Sequence, residues 1–115
     1  MKAAKFDYIL ARSIEEAVQS LEKGGGEAVI IAGGQTLMPL LAMRLARPAT
    51  VIDINGITAL SGIEAGEHEV VIKACTRQAM ALASPLVQTH LPLLAKAIAR
   101  VGHQQTRNRG TVGGS

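Results

Sequence analysis

Ala28-Val29-Ile30-Ile31-Ala32-Gly33-Gly34-Gln35-Thr36-Leu37-Met38-Pro39-Leu40-Leu41 is the stretch that sets the fold of this chain. Its first five residues are wholly apolar, the composition of a short parallel strand covered on both faces. Gly33-Gly34 then keeps bulk out of the turn that follows, because glycine accepts positive φ and allows close approach of a ligand or another backbone. Thr36 is placed to cap a helix reaching about Leu45, with Leu37, Leu40, Leu41 and Leu45 as core and Arg44 and Arg47 near its negative end. Pro39 falls in the first turn, where a missing N–H costs little. A diglycine turn between strand and helix can direct several backbone N–H groups at one anion, a common way of holding phosphate or pyrophosphate. The same local pattern also serves as a tight turn without a ligand.

Working outward, Phe6 to Leu10 reads as a short strand, and Ser13-x-x-Glu16 is a capping box in which each side chain serves the other's backbone N–H. Ile14, Ala17, Val18 and Leu21 follow at helical spacing, so a helix is expected from Ser13 to Lys23, stopped by Gly24-Gly25-Gly26. Thr50 to Ile54 is a third strand. Strand, helix, strand, helix, strand implies a three-stranded parallel sheet with right-handed crossovers. Beyond it, Gly62–Ala65 and Glu69–Ala74 flank the turn-rich Gly66-Glu67-His68 as an antiparallel hairpin. Thr76 to Leu82 and Pro92 to Val101 read as helices, and the wholly polar run from His103 to Gly110 as a loop. That loop feeds a second diglycine motif, Thr111-Val112-Gly113-Gly114-Ser115, about eighty residues after the first. At the final residues, its plain reading is a flexible chain end. The fold class is α/β (α+β), with residues 1–56 forming one subdomain and 57–115 beginning another.

Composition limits the partners. The 115 residues are 48% apolar, which excludes disorder, and Phe6 and Tyr8 are the only aromatic residues, which argues against a base-stacking nucleic-acid platform. A net charge of +3 is mild, and a basic patch at Arg100, His103, Arg107 and Arg109 would meet dinucleotide phosphates as well as nucleic acid. Cys75 is the single cysteine, so no disulfide forms within the chain and no cysteine cluster binds zinc or iron–sulfur. No apolar run approaches the roughly 20 residues that span a bilayer. These features are read as a soluble, cytoplasmic chain.

Several segments in order resemble the flavin-binding medium subunit, or flavin domain, of the molybdenum hydroxylases, the group of aerobic carbon monoxide dehydrogenase and xanthine dehydrogenase. They are Phe6-Asp7-Tyr8 with the Ser13 helix, Ala32 to Leu41, Val51-Ile52-Asp53-Ile54, and Arg107 to Ser115. The resemblance implies the N-terminal part of a PCMH-type FAD-binding fold and an FAD whose pyrophosphate is cradled at the two glycine motifs. Carried over by position, the contacts are Ala32, Gly33, Gly34, Gln35 and Thr36, then Thr111, Val112, Gly113, Gly114 and Ser115. Gln35 stands where relatives often carry histidine and Thr36 where they often carry serine. The family further implies an FAD-dependent oxidoreductase complex with a 2Fe–2S small subunit and a molybdopterin large subunit, passing electrons through FAD to an external acceptor. Relatives continue beyond the second motif, so one wall of the flavin cleft is expected here, and the isolated chain is expected to bind FAD weakly or not at all and to be inactive.

No residue is assigned as catalytic or as a metal ligand. Cys75 reads as a small buried residue, and His68 and His90 as surface residues. His103 reads as a helix stop, and Arg107 and Arg109 as loop charges or as guides for FAD. A rival reading from another class is a non-enzymatic association module that self-assembles through bare apolar surface.

Overall fold

The computed structural model describes residues 1–115, which form two compact units, Met1–Thr58 and Ala59–Ser115. The first unit is a three-stranded parallel sheet of β1 (Asp7–Leu10), β2 (Ala28–Ile31) and β3 (Thr50–Asp53), in the order β1-β3-β2. Its register sets Tyr8 and Val29 on either side of Val51, and Leu10 and Ile31 on either side of Asp53. Helix α1 (Ile14–Gly24) packs on β2 and β3. Ser13 caps it as expected, its Oγ accepting the Glu16 N–H at 3.1 Å. The reciprocal arm differs: Glu16 Oε2 accepts from the N–H of Arg12 at 3.2 Å, one residue before the cap. Ser13→Ala is expected to cost about 1 kcal/mol, seen as a lower urea midpoint.

Two expectations for this unit are corrected. The strand covered on both faces is β3, where Val51 and Ile52 are 1% and 0% exposed, whereas β2 is an edge strand with Ile30 40% exposed. The crossover order decides this, since the last strand inserts between the first two. Helix α2 (Leu37–Ala42) stops before Leu45. Arg44 takes φ +56°, the left-handed turn that ends many helices, and the N–H groups of Leu45 and Ala46 both return to the Leu40 carbonyl. Leu41 is therefore core at 2% exposure while Leu45, thrown outward past the reversal, is 72% exposed.

The second unit opens with the antiparallel pair β4 (Ile63–Ala65) and β5 (Val70–Ile72), followed by α3 (Gln78–Ala83), α4 (Pro85–His90), α5 (Pro92–Ala99) and α6 (Gln104–Arg109). Thr76, expected to cap α3, is instead fully buried, its Oγ1 bonding both the carbonyl and the N–H of Gly62 at 2.9 and 3.0 Å. Helix α4 was not foreseen: Ser84-Pro85 ends one helix and starts another, with Ser84 Oγ accepting from the Val87 N–H and proline at the first helical position. The polar run after Gly102 is also helical. His103 precedes α6 rather than merely stopping α5, and α6 packs on α3. Arg107 explains how so polar a helix is held: its guanidinium donates to the carbonyls of Ala99, Val101 and Gly102 at 3.4, 3.1 and 3.4 Å. The Ala99 carbonyl is one that the end of α5 leaves without a helical partner, and the other two belong to the turn that follows it. Cys75 is buried, as read, and His68 and His90 are exposed. No helix is long and apolar enough to cross a membrane.

Candidate functional site

Parallel strands deliver their carboxyl ends to one edge of the sheet, and in open α/β sheets that edge is where ligands bind. In the first unit it gathers Ala32-Gly33-Gly34 after β2 and Asp53-Ile54-Asn55 at the end of β3. Gly34 sits at φ +74°, and a Cβ there would lie 3.2 Å from Met38 Cγ and 3.3 Å from Ile31 Cδ1. Both conformation and space thus call for glycine. The Gly34 carbonyl accepts the Met38 N–H at 2.9 Å, starting α2.

The N–H groups of Gly33, Gly34, Gln35 and Thr36 have no acceptor within the protein. Thr36 makes no capping bond either, contrary to expectation, because its backbone is already helical (φ −97°, ψ −44°) instead of extended. Gln35 and Thr36 are exposed, and Ala32, Gly33 and Gly34 are half-buried. The Gln35 amide reaches only its neighbour, donating to the Gly33 carbonyl at 3.4 Å. Four consecutive donors, a hydroxyl and no carboxylate among residues 32–36 suit an oxygen-rich anion.

The second motif is built differently and is no loose end. Thr111 is 2% exposed and pairs with Arg77 in an antiparallel bridge. Val112 and Gly113 donate their N–H groups to the carbonyls of Thr76 and Ala74 at 2.9 and 2.8 Å. Thr111 Oγ1 accepts from the Gly114 N–H at 3.2 Å. Arg77 also donates to the Arg109 carbonyl at 2.6 Å, and Gln78 N–H to the Gly110 carbonyl at 2.8 Å. A Cβ on Gly113 would meet Ala74 Cβ at 2.6 Å and its Cα and carbonyl oxygen at 2.8 Å. Close backbone approach, rather than exposed donors, accounts for this glycine.

Three residues at the first edge escaped the sequence reading as a group. Tyr8 Oη donates to Asp53 Oδ2 at 2.5 Å, and Asp53 Oδ1 accepts from the backbone and side-chain nitrogens of Asn55 at 2.9 and 2.7 Å. Asn55 Nδ2 also donates to the Ala32 carbonyl at 2.6 Å. The hydrogen bond to Asp53, then desolvation and the carboxylate's charge, hold the Tyr8 phenol above its ordinary value, so it remains a donor at neutral pH. Asp-x-Asn at the end of a strand is an Asx-turn pattern, and that signal was present in the sequence.

A groove of about 530 Å³ lined by Lys5, Glu27, Ala28, Leu37, Arg47 and Pro48 lies at the opposite, amino end of β2. Among the described residues no three His, Cys, Asp or Glu side chains are grouped to hold a metal ion.

A family profile described as the FAD binding domain in molybdopterin dehydrogenase matches residues 4–115. The 6-hydroxypseudooxynicotine dehydrogenase complex subunit alpha of Paenarthrobacter nicotinovorans is 45% identical over 115 residues, all of this chain and 39% of that protein. The carbon monoxide dehydrogenase medium chain of Hydrogenophaga pseudoflava is 44% identical over 110 residues, 96% of this chain and 38% of that one. In solved structures, a chain of carbon monoxide dehydrogenase from Hydrogenophaga pseudoflava superposes with TM-score 0.96 at 43% identity, over 99% of this chain and 40% of that chain. Quinoline 2-oxidoreductase from Pseudomonas putida 86 gives TM-score 0.94 at 38% identity, over 100% and 40% respectively. The chain thus spans about two fifths of the length of the relatives it matches.

Proposed function

This chain belongs to the FAD binding domain family of molybdopterin dehydrogenases, and on that premise we propose that it is the N-terminal portion of the FAD subunit of a molybdenum hydroxylase. Ala32, Gly33, Gly34, Gln35 and Thr36 are its proposed pyrophosphate contacts, and Thr111, Val112, Gly113, Gly114 and Ser115 its further FAD contacts. The observation that carries the reading is the run of four backbone N–H groups, Gly33 to Thr36, without protein acceptors at the carboxyl edge of a parallel sheet. FAD, when bound, supplies the electron-transfer chemistry. The residues of this chain bind and orient it; none is assigned a proton-transfer role.

In the second motif the contribution differs by residue. Val112 and Gly113 have their N–H groups engaged by the chain, so they shape the loop, while Ser115 is exposed and offers a hydroxyl. The proposed parent complex adds a 2Fe–2S small subunit and a molybdopterin large subunit in the cytoplasm, with electrons passing through FAD to an external acceptor. Relatives of 45% and 44% identity carry the names of different substrates, so likeness in this domain does not convey substrate choice.

Titration of the ¹⁵N-labelled chain with millimolar FAD tests the site. Amide shifts concentrated at Gly33–Thr36 and Thr111–Ser115 are expected, with riboflavin, which lacks the pyrophosphate, leaving Gly33–Thr36 unmoved. Binding by this one wall of the cleft is expected to be weak; shifts confined to residues outside the two motifs would overturn the proposal.

A further inference from the structure

A primary amide nitrogen has two hydrogens. On Asn55 both are used, one on Asp53 Oδ1 at 2.7 Å and the other on the Ala32 carbonyl at 2.6 Å. That carbonyl belongs to the same planar peptide unit as the Gly33 N–H, so holding the oxygen fixes the direction of the hydrogen on its far side. Two glycines follow, and an unheld peptide beside glycine turns over readily. Asp53 is held in turn, by the Tyr8 phenol at 2.5 Å and by the Asn55 backbone N–H at 2.9 Å. The relay therefore runs from β1 through the end of β3 to the exit of β2.

We propose that Asn55 is a positioning residue for FAD: locked by Asp53 and Tyr8, it orients the Ala32–Gly33 peptide so that the first donor of the diglycine turn faces the pyrophosphate. The inference rests on the functional reading above. It assigns a ligand-directed role to side chains that do not themselves belong to the glycine motif. Asn55→Asp is nearly the same size but replaces the donor with a carboxylate, facing both the Ala32 carbonyl and Asp53. The control is Ile57→Val, a buried apolar change in the same unit, at a residue 3% exposed.

The test is FAD titration of the chain and its variants followed by amide shifts, with ligand-free spectra recorded first. In Asn55→Asp the Gly33 amide signal is expected to move and broaden, and FAD affinity to fall about tenfold or more, the loss of one well-made hydrogen bond. Ile57→Val should leave both unchanged while lowering thermal stability. Should Asn55→Asp fail to fold, Tyr8→Phe removes only the outer link of the relay and is expected to weaken FAD about threefold. If the Gly33–Thr36 signals of the native chain respond to FAD and the tested variant binds within about twofold of it, the positioning role is overturned and the functional reading stands. If FAD moves native signals elsewhere but not those of Gly33–Thr36, the functional reading fails first.

Discussion

Gly113→Ala is expected to detach the second glycine motif from the unit it closes. The added methyl would stand 2.6 Å from Ala74 Cβ and 2.8 Å from Ala74 Cα and oxygen, closer than real Cβ contacts come. Ala74 is itself exposed, but its chain continues into Cys75 and Thr76, which are 6% and 0% exposed. The terminal segment must move instead. It loses the Gly113 and Val112 hydrogen bonds to Ala74 and Thr76 and opens Thr111 to water. Two backbone bonds and the strain together are worth about 2–3 kcal/mol, a fall in melting temperature of about 8–20 °C for a domain of this size. Amide exchange gives the sharper readout: Val112 and Gly113 should lose protection while β3 keeps its own. Native protection at both amides in Gly113→Ala would contradict this account.

Arg107→Ala is the second large effect. One guanidinium serves three carbonyls, that of Ala99 at the end of α5 and those of Val101 and Gly102 just beyond it, where the helix macrodipole is negative. Removing it costs about 2 kcal/mol, counting a charge-assisted bond and the dipole contribution. Arg107→Lys should recover only part, since all three contacts come from one terminal nitrogen, Nη1, which the shorter lysine side chain does not carry to the same point. Urea unfolding of the three proteins measures the series; an Arg107→Ala midpoint equal to the native one would show that water replaces the guanidinium without loss.

The sequence made the sheet legible because its signals were local and mutually consistent. The apolar run at residues 28–31, the diglycine turn and the Ser13 cap each specify their own conformation. Burial was less legible, since whether Ile30 or Ile52 ends up enclosed depends on which strand lies between the others, and strand order is a property of the whole unit. The helix over residues 104–109 was hidden for a related reason. Its stability comes from Arg107 reaching back to carbonyls at and just beyond the end of α5 and from packing on α3, neither of which leaves a periodic apolar pattern. At the site, the glycine motifs were visible through composition, but the relay from Tyr8 to Asn55 joins residues 45 positions apart at its first link and only two at its second. Only the second link was within reach of sequence reading.

The edge position of β2 has a mechanical consequence. A loop leaving a central strand is braced by ladders on both flanks, whereas the diglycine turn projects from a strand laddered on one flank only, like a cantilever. Stiffness at its root has to come from elsewhere, and the Asn55 amide, gripping the Ala32 oxygen from the neighbouring strand's exit, is the strut.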